Sequence, residues 1–506
     1  MPARAPAAVP VHDQSHGVRL RGSGIIRGSF APGPPPMRLS ILAFVLAFPL
    51  TASAAPTTIP DAALETAAGL RERALADTLA WEITEGLTTE VGPRLAGSEA
   101  DARAREWMIA KFKALGFDKV WSEPVTYPKW VRRSEHAEVV SPFPQPLALT
   151  ALGNSAATPD GGLRAEVVAF ESLEALEAAA REAVEGRIVY IGSTRMDEKA
   201  GRGYGQGSRV RGRGPSLAST KGAAAFLLRS VGPEDTRLPH TGMTRFEDGV
   251  TAIPAAALSN PDADQLERIL ARGLPVTLRL ALDCGIEGEY TGANVIAEMR
   301  GRSRPNEYYL TGGHLDSWDL GTGAVDDAAG IGITTAAAHL IAQLPKRPAR
   351  SIRVVAFANE ESGLYGGKAY GETHRKEIAR AILGSESDAG SDRIVKLTAT
   401  VKPEARGAID RIAEALAPLG IEYDREAPGA GGSDLSAVHA VGMAGLSLHQ
   451  DTMRYFAWHH TANDTLDKID LEHLRQNVAA YAVAMYLAAE AKGDFGSKPG
   501  AFAKKP

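Results

Sequence analysis

The chain has 506 residues, 44% of them apolar and 23% charged, with a formal net charge of -5 at pH 7. That is ordinary globular composition, long enough for more than one domain, and the evenly spread charge argues against nucleic acid or an anionic membrane surface as partner. A single cysteine, Cys284, excludes an intrachain disulfide and any metal site built from several cysteines; it reads as a small buried apolar residue.

Residues 1–36 are rich in Pro, Gly, Arg and Ala and carry no apolar period. They read as a non-native or disordered N-terminal extension. The run "MRLSILAFVLAFPLTASAAP" follows. Its apolar stretch, residues 39–50, matches a signal-peptide core and falls short of the ~20 residues that span a bilayer. Ala52-Ser53-Ala54 fits a cleavage site. Residues 37–54 are therefore expected to be a signal peptide, the mature chain to start near Ala55, and the protein to be secreted or periplasmic. With no lipobox cysteine, no membrane anchor is expected after cleavage.

Residues 61–90 carry apolar positions at helical spacing, and "AGSEADARAREWMIAKFKALGF" reads as a second helix capped by Ser98. With the strand-like "DKVWSEPVTY" these make residues 55–137 the first part of an α/β domain. Residues 138–285 change character. "LRAEVVAF", "GRIVYIG", "AAFLLRS", "IPAAALS" and "PVTLRLAL" are short β-like runs punctuated by Gly, Pro and Arg, expected to form a smaller inserted β-rich domain. Within it, "EKAGRGYGQGSRVRGRGPS" reads as a solvated loop or as a segment touching substrate or partner. Residues 286–495 return to strand–helix alternation: "NVIAEMRG", "EYYLTGG", "SIRVVAFAN", "AILGSES" and "AGLSLHQ" as strands, with helices between them and a long closing helix. The fold class is α/β, a doubly wound and mostly parallel sheet. Residues 496–506 are expected to be a disordered tail.

Ligands of such sheets collect beyond the carboxyl ends of the strands, and four polar segments lie there. In "HLDSW", His314 and Asp316 share a face if the strand continues, and a carboxylate beside a ligating imidazole fixes its tautomer. In "GAVDDAAG" an aspartate heads a helix, where unpaired N–H groups favour an anion. In "NEESGLYGG" the neighbours Glu360 and Glu361 point opposite ways and can take different roles. "WHHTANDTLDKID" adds His459 and His460. Singly, each is an ordinary surface pair or helix cap. Jointly they supply N and O donors without sulfur, which suits zinc, and enough carboxylates for two ions sharing a bridge.

With those motifs, residues 62–137 and 286–495 resemble the catalytic domain of the co-catalytic di-zinc exopeptidases. The insert, with "GRIVYIG", "PHTG" and "FEDGV", resembles the protease-associated insert of the carboxypeptidase Q branch, as do "ESDAG" and "YFAWHHTANDT". The resemblance implies two Zn2+ ions bridged by Asp326, with His314 and Asp388 on one and Glu361 and His460 on the other. It implies Glu360 as general base, Asp316 orienting His314, and a cis peptide at Asp326–Asp327. His459 stands where some relatives carry an oxyanion-binding tyrosine and is expected to donate to the substrate carbonyl or carboxylate. The implied activity is hydrolysis of short peptides, with dipeptides bearing free termini preferred, by a homodimer. A broad aminopeptidase and a catalytically silent binding protein are the alternatives; the complete ligand set argues against the second. His339 and His473 fall in helices; they and His136, His240, His374, His439 and His449 read as surface or satisfied core. Asp434, in "GGSDLSAV", reads first as a helix cap.

Overall fold

The computed structural model describes Gly33 and residues 55–194, 196 and 201–502. The expected signal peptide at 37–54 lies outside the described residues. The chain opens on α1 (Asp61–Ala74) and α2 (Leu79–Gly86). The single helical run expected over 61–90 is broken there, because the Asp77 carboxylate accepts from the Leu79 N–H at 2.8 Å and satisfies a free donor of a new helix. The next helix, α3 (Glu99–Ala114), has the expected cap, with Ser98 Oγ accepting from the Asp101 N–H at 3.1 Å.

After β1 (Lys119–Ser141) come β2 (Gln145–Leu147), β3 (Leu149–Ala151), β4 (Leu163–Phe170), α4 (Leu173–Ala178), β5 (Ile188–Ile191), α5 (Tyr204–Thr220), β6 (Ala225–Arg229), β7 (Ala255–Leu258), α6 (Asn260–Leu270) and β8 (Thr277–Met299). All five short runs expected in this region are strands. The proposed boundaries at 137/138 and 285/286, however, fall inside β1 and β8. These two strands pair antiparallel from Lys119 opposite Glu298 to Ser141 opposite Thr277, with three slips of register. "PVTLRLAL" and "NVIAEMRG" are thus one strand. Gly285 and Gly288, which look like breakers in the sequence, sit at φ 152° and 115° within it. One end of β8 pairs with β10 and the other with β4, so the lobes share a continuous ribbon.

The Gly/Arg-rich stretch is helical from Tyr204 onward, as α5, despite its glycines and the internal Pro215. Packing overrides propensity here. Val210, Gly214 and Pro215 are buried, and a side chain at Gly214 would strike the Phe226 ring at 2.4 Å.

The second part of the main lobe runs β9 (Arg304–His314), α7 (Ala329–Ala342), β10 (Arg350–Phe357), α8 (Tyr365–His374), β11 (Ala381–Glu386), β12 (Ile394–Thr400), α9 (Arg406–Leu416), β13 (Glu422–Tyr423), α10 (Ser433–Val441), β14 (Gly445–Gln450) and α11 (Leu471–Glu490). The sheet order is β13-β12-β14-β11-β9-β10-β8-β4-β5-β6-β7-β3, with parallel pairing of β9 to β10 and β11 and of β11 to β14 at its centre. Alternation along β10 explains its continuous apolar sequence. Ile352, Val354 and Ala356 join the core under α7 and α11, while Val355 and Phe357 join that under α8 and α10.

The tail, expected to be disordered, is tied to the main lobe at Ser497 and Phe502. Ser497 Oγ accepts from the Ala444 N–H at 2.8 Å, and the Phe502 ring stacks on His439 at 5.1 Å. Of the minor histidines, His374 ties α8 to β1, with Nε2 3.1 Å from Glu123 and Nδ1 3.0 Å from Glu377. Burial lowers its affinity for a proton, but hydrogen bonds to Glu123 and Glu377 outweigh this and raise its pKa above the ordinary value. The stabilisation is therefore full below an unfolded pKa of about 6.5 and is lost as pH rises through the higher folded value. Thermal melts from pH 5 to 9 should show that decline in the wild type and a flatter profile in His374→Gln. The effect should not exceed about 1 kcal/mol, since the pair is partly solvated.

Candidate metal centre and active site

The register of the central strands brings their carboxyl ends level. Phe357 of β10 lies opposite His314 of β9, and Glu386 of β11 lies opposite Gly312. His314 therefore ends one strand, Glu360 and Glu361 follow the next, and Asp388 follows the third. Asp326 heads α7, and His459 and His460 lie in the segment after β14. Asn359 at φ 50°, Leu364 at φ 59° and His460 at φ 62° are three of the four non-glycine residues with positive φ among the described residues, and all three sit here.

Asp326 is the centre of the arrangement. Its Oδ1 lies 2.9 Å from His314 Nε2, and its Oδ2 lies 3.4 Å from His460 Nε2. His314 Nε2 is also 3.5 Å from Asp388 Oδ1, and His460 Nε2 is 3.0 Å from Glu361 Oε2. Two donor sets result, His314–Asp326–Asp388 and Asp326–Glu361–His460, each with its donor atoms within 4.8 Å of one another. The five expected metal ligands are thus gathered in one place, with Glu360 on the wall of the same cavity.

Asp316 acts differently from the expectation. His314 Nδ1 meets the Asp316 main-chain carbonyl at 2.9 Å, while the nearest carboxylate oxygen is 3.7 Å away. The carboxylate instead accepts from the N–H groups of Glu360, at 3.0 Å, and Glu361, at 3.4 Å. One residue thereby orients the imidazole with its backbone and the two glutamates with its side chain. Asp327 does more than cap α7. It accepts from the Gly330 N–H and from the His314 N–H, both at 3.1 Å. Gly313 and Gly330 make this possible, since a Cβ at either would lie 2.3 Å from that carboxylate. The Asp326–Asp327 peptide is cis. Asp434 caps no helix of its own; it accepts from the Gly367 N–H of α8 at 2.7 Å.

Sequence reading missed two supports. Asp464, from "HTANDT", accepts from the Val325 N–H at 2.7 Å, beside the Asp326 carboxylate. Arg94 is fully buried and donates to the carbonyls of Leu315 at 2.6 Å, Thr322 at 2.7 Å and Gly323 at 2.9 Å, closing the loop between His314 and Asp326. Only contacts more than 200 residues away in sequence reveal its role. Arg94→Ala should lower stability by about 3 kcal/mol, since three buried carbonyls lose a charged donor. It should also weaken zinc retention about tenfold or more. Melting curves and dialysis against a chelator test the two effects.

The charge balance of the site points to cations. Burial, and next Asp388, push Glu360 well above the usual carboxylate range; burial and Asp326 do the same to Glu361, and burial and Asp434 to Glu386. Burial raises Asp434 to about 8 and Asp464 to about 7. Glu361 Oε1, Glu386 Oε1 and Asp434 Oδ2 are buried with no hydrogen-bond partner among the described residues. His314 faces the carboxylates of Asp316, Asp326 and Asp388, which together outweigh burial and raise its proton affinity, while burial takes His460 down to about 3. An array of imidazole and carboxylate donors with orphaned oxygens fits zinc.

The inserted lobe completes the site. Thr241 donates its N–H to the His460 carbonyl at 2.9 Å, and its own carbonyl lies 3.3 Å from His460 Nδ1. From α5, Arg211 Nη2 donates to the Tyr204 hydroxyl at 3.1 Å, and that hydroxyl lies 3.1 Å from His459 Nε2. His459 Nδ1 is buried with no hydrogen-bond partner among the described residues. His459 stacks on His460 at 4.0 Å, and burial, then the neighbouring His460, hold it well below its usual pKa. Tyr204, Ser208, Arg211, Arg245 and Phe456 join the metal-site residues around a cavity of about 630 Å³.

A doubly wound sheet with paired histidine–carboxylate donor sets at its carboxyl edge and a glutamate beside them defines a zinc-dependent exopeptidase. Residues 294–485 match the model of Peptidase family M28. The chain is 35% identical over 402 residues to Carboxypeptidase Q of Xenopus laevis, covering 79% of this chain and 83% of that one. The crystal structure of a Peptidase M28 precursor from Shewanella amazonensis SB2B superposes with a TM-score of 0.83 at 45% identity, covering 87% of this chain and 99% of that chain. A zinc aminopeptidase from Bacillus subtilis shares the fold at 20% identity and a TM-score of 0.57, covering 81% and 94%. The chain belongs to peptidase family M28.

Proposed function

We propose that the protein is a di-zinc exopeptidase that hydrolyses short peptides, with dipeptides bearing free termini preferred. The observation that carries this reading is the Asp326 carboxylate, whose two oxygens face two separate histidine–carboxylate pairs. His314, Asp326 and Asp388 would hold one ion, and Asp326, Glu361 and His460 the other. Bound there, zinc supplies an acidified water and a polarised carbonyl. The chain's own residues do the rest. Glu360, its backbone fixed by Asp316, takes a proton from water as the water oxygen adds to the scissile carbonyl carbon. As the C–N bond breaks, Glu360 returns that proton to the leaving amine. His459, on the wall of the same cavity, offers a ring N–H to the carbonyl oxygen as charge develops there.

The chain's N-terminal pattern supports a signal peptide at 37–54 and a secreted or periplasmic location; no described helix is long and apolar enough to cross a membrane. The insert motifs support a protease-associated type of lobe. A homodimer rests on the resemblance alone. The test is a panel of free, N-blocked and C-amidated dipeptides with zinc-loaded protein. Cleavage of the free form well above both blocked forms is expected. Equal cleavage of the amidated and free forms would remove the dipeptidase preference, and preference for longer peptides would make the enzyme a broad aminopeptidase.

A further inference from the structure

Arg132, in β1, touches two segments that support the metal donors. Its side chain is 7% exposed, and its guanidinium lies over the Trp130 ring at 5.2 Å. Nε faces the Asp319 carboxylate, at 3.0 Å from Oδ2 and 3.2 Å from Oδ1. Nη1 donates to Glu135 Oε2 at 3.0 Å and to the Ala151 carbonyl at 2.9 Å, and Nη2 donates to Thr241 Oγ1 at 3.1 Å. Asp319 belongs to the loop between His314 and Asp326. Its neighbour Trp318 is buried in the apolar core of the inserted lobe, packs on Trp130 at 6.2 Å and makes a T-shaped contact with His460 at 5.8 Å. A Cβ at Gly153 would strike the Trp318 ring at 2.2 Å, so the indole is fitted to its slot. His460 is thus held by Thr241 and by Trp318, and Arg132 binds the Thr241 hydroxyl and the residue next to Trp318. A carbonyl can only accept, so the Thr241 carbonyl at 3.3 Å favours a proton on His460 Nδ1 and leaves Nε2, which faces Asp326 and Glu361, for a metal. The backbone of His460, at φ 62°, needs such support. His314 is held from the main lobe instead, by the Asp316 carbonyl and the Asp327 carboxylate, and Arg94 closes the ends of its loop separately.

We propose that Arg132 is a positioning residue for one of the two metal positions: by locking Asp319 and Thr241 together, it sets the hold of the Glu361–His460 position on zinc. The inference rests on the di-zinc reading above and adds that the two positions are supported by different parts of the chain. The ion at His314 and Asp388 depends on the main lobe, whereas the ion at Glu361 and His460 also depends on a buried charge in the β1–β8 ribbon. Partners behind a ligating imidazole fix its ring, and their loss typically weakens metal binding about tenfold to a hundredfold.

Zinc affinity, read by competition with a chromogenic chelator, tests this without recourse to turnover. Asp388→Ala protein isolates the Glu361–His460 position, and Glu361→Ala protein isolates the other. Arg132→Met should weaken zinc binding about tenfold or more in the Asp388→Ala background and change it less than about twofold in the Glu361→Ala background. Arg132→Lys should recover part of the loss, since an ammonium cannot reach all the partners of the guanidinium at once. Should Arg132→Met fail to fold, Thr241→Val, which removes one hydroxyl and keeps both main-chain contacts to His460, should still weaken the same ion severalfold, and Asp319→Asn should act in the same direction. Arg132→Met and Thr241→Val combined should cost no more than Arg132→Met alone, because both break one link. A residue that serves the fold alone would lower the melting temperature of the metal-free protein and shift zinc affinity in both backgrounds by the same factor, or in neither. Either of those results overturns the proposal while leaving the di-zinc reading intact. If the wild-type chain binds fewer than two zinc ions, the di-zinc reading fails and this inference with it.

Discussion

Replacing Asp326 by alanine is expected to empty both metal positions together. Each of its oxygens faces a different histidine, so no other side chain in the site serves both donor sets. Zinc content measured on protein dialysed against a weak chelator should fall from two ions per chain to nearly none. Activity should fall by more than about 10³-fold, the scale of loss when metal-assisted water activation is removed. Asp388→Ala and Glu361→Ala touch one donor set each and should leave the other ion in place. If Asp326→Ala keeps one ion as firmly as wild type, the shared-carboxylate reading is wrong.

Replacing Glu360 by glutamine should leave zinc content and KM nearly unchanged and lower kcat by about 10²–10⁴-fold, the range for loss of a positioned general base. The two amides that Asp316 receives belong to the backbone of residues 360 and 361, so the substitution does not disturb the hold on Glu361. Single-turnover kinetics on a short peptide, with metal analysis on the same preparation, make the test. Full activity in Glu360→Gln would assign the proton transfer to another group. A loss matched by loss of zinc would make Glu360 a ligand instead.

The clustering of the two donor sets was legible because their residues sit at strand ends that the apolar pattern marks. "EYYLTGG", "SIRVVAFAN" and "AILGSES" each end just before the polar residues that matter, and parallel register then aligns them. What remained hidden depends on contacts between distant segments. Arg94 looks like one more charged residue after a helix, and only folding carries it to the carbonyls of residues 315, 322 and 323. The helix α5 was hidden for a different reason. Glycine and arginine at close spacing signal a loop by propensity, and only the packed surface of β6 makes a helix of it. Asp316 shows a third kind of limit. Spacing placed it beside His314, but whether its carbonyl or its carboxylate faces the ring is a matter of backbone rotation that no spacing rule encodes.

The ribbon of β1 and β8 bears on how such an enzyme can be taken apart or inherited. An accessory module joined by loops can be removed, exchanged or lost while its host continues to function. Here an excision at residues 138–285 would cut two paired strands in mid-course. It would also take away Thr241, whose backbone holds His460 on both its carbonyl and its ring. Of the five residues in the two donor sets, His460 would lose the partner that holds both its carbonyl and its ring. Chimaeras that exchange specificity between relatives should therefore be spliced within single helices such as α5, where side chains change and the ribbon does not.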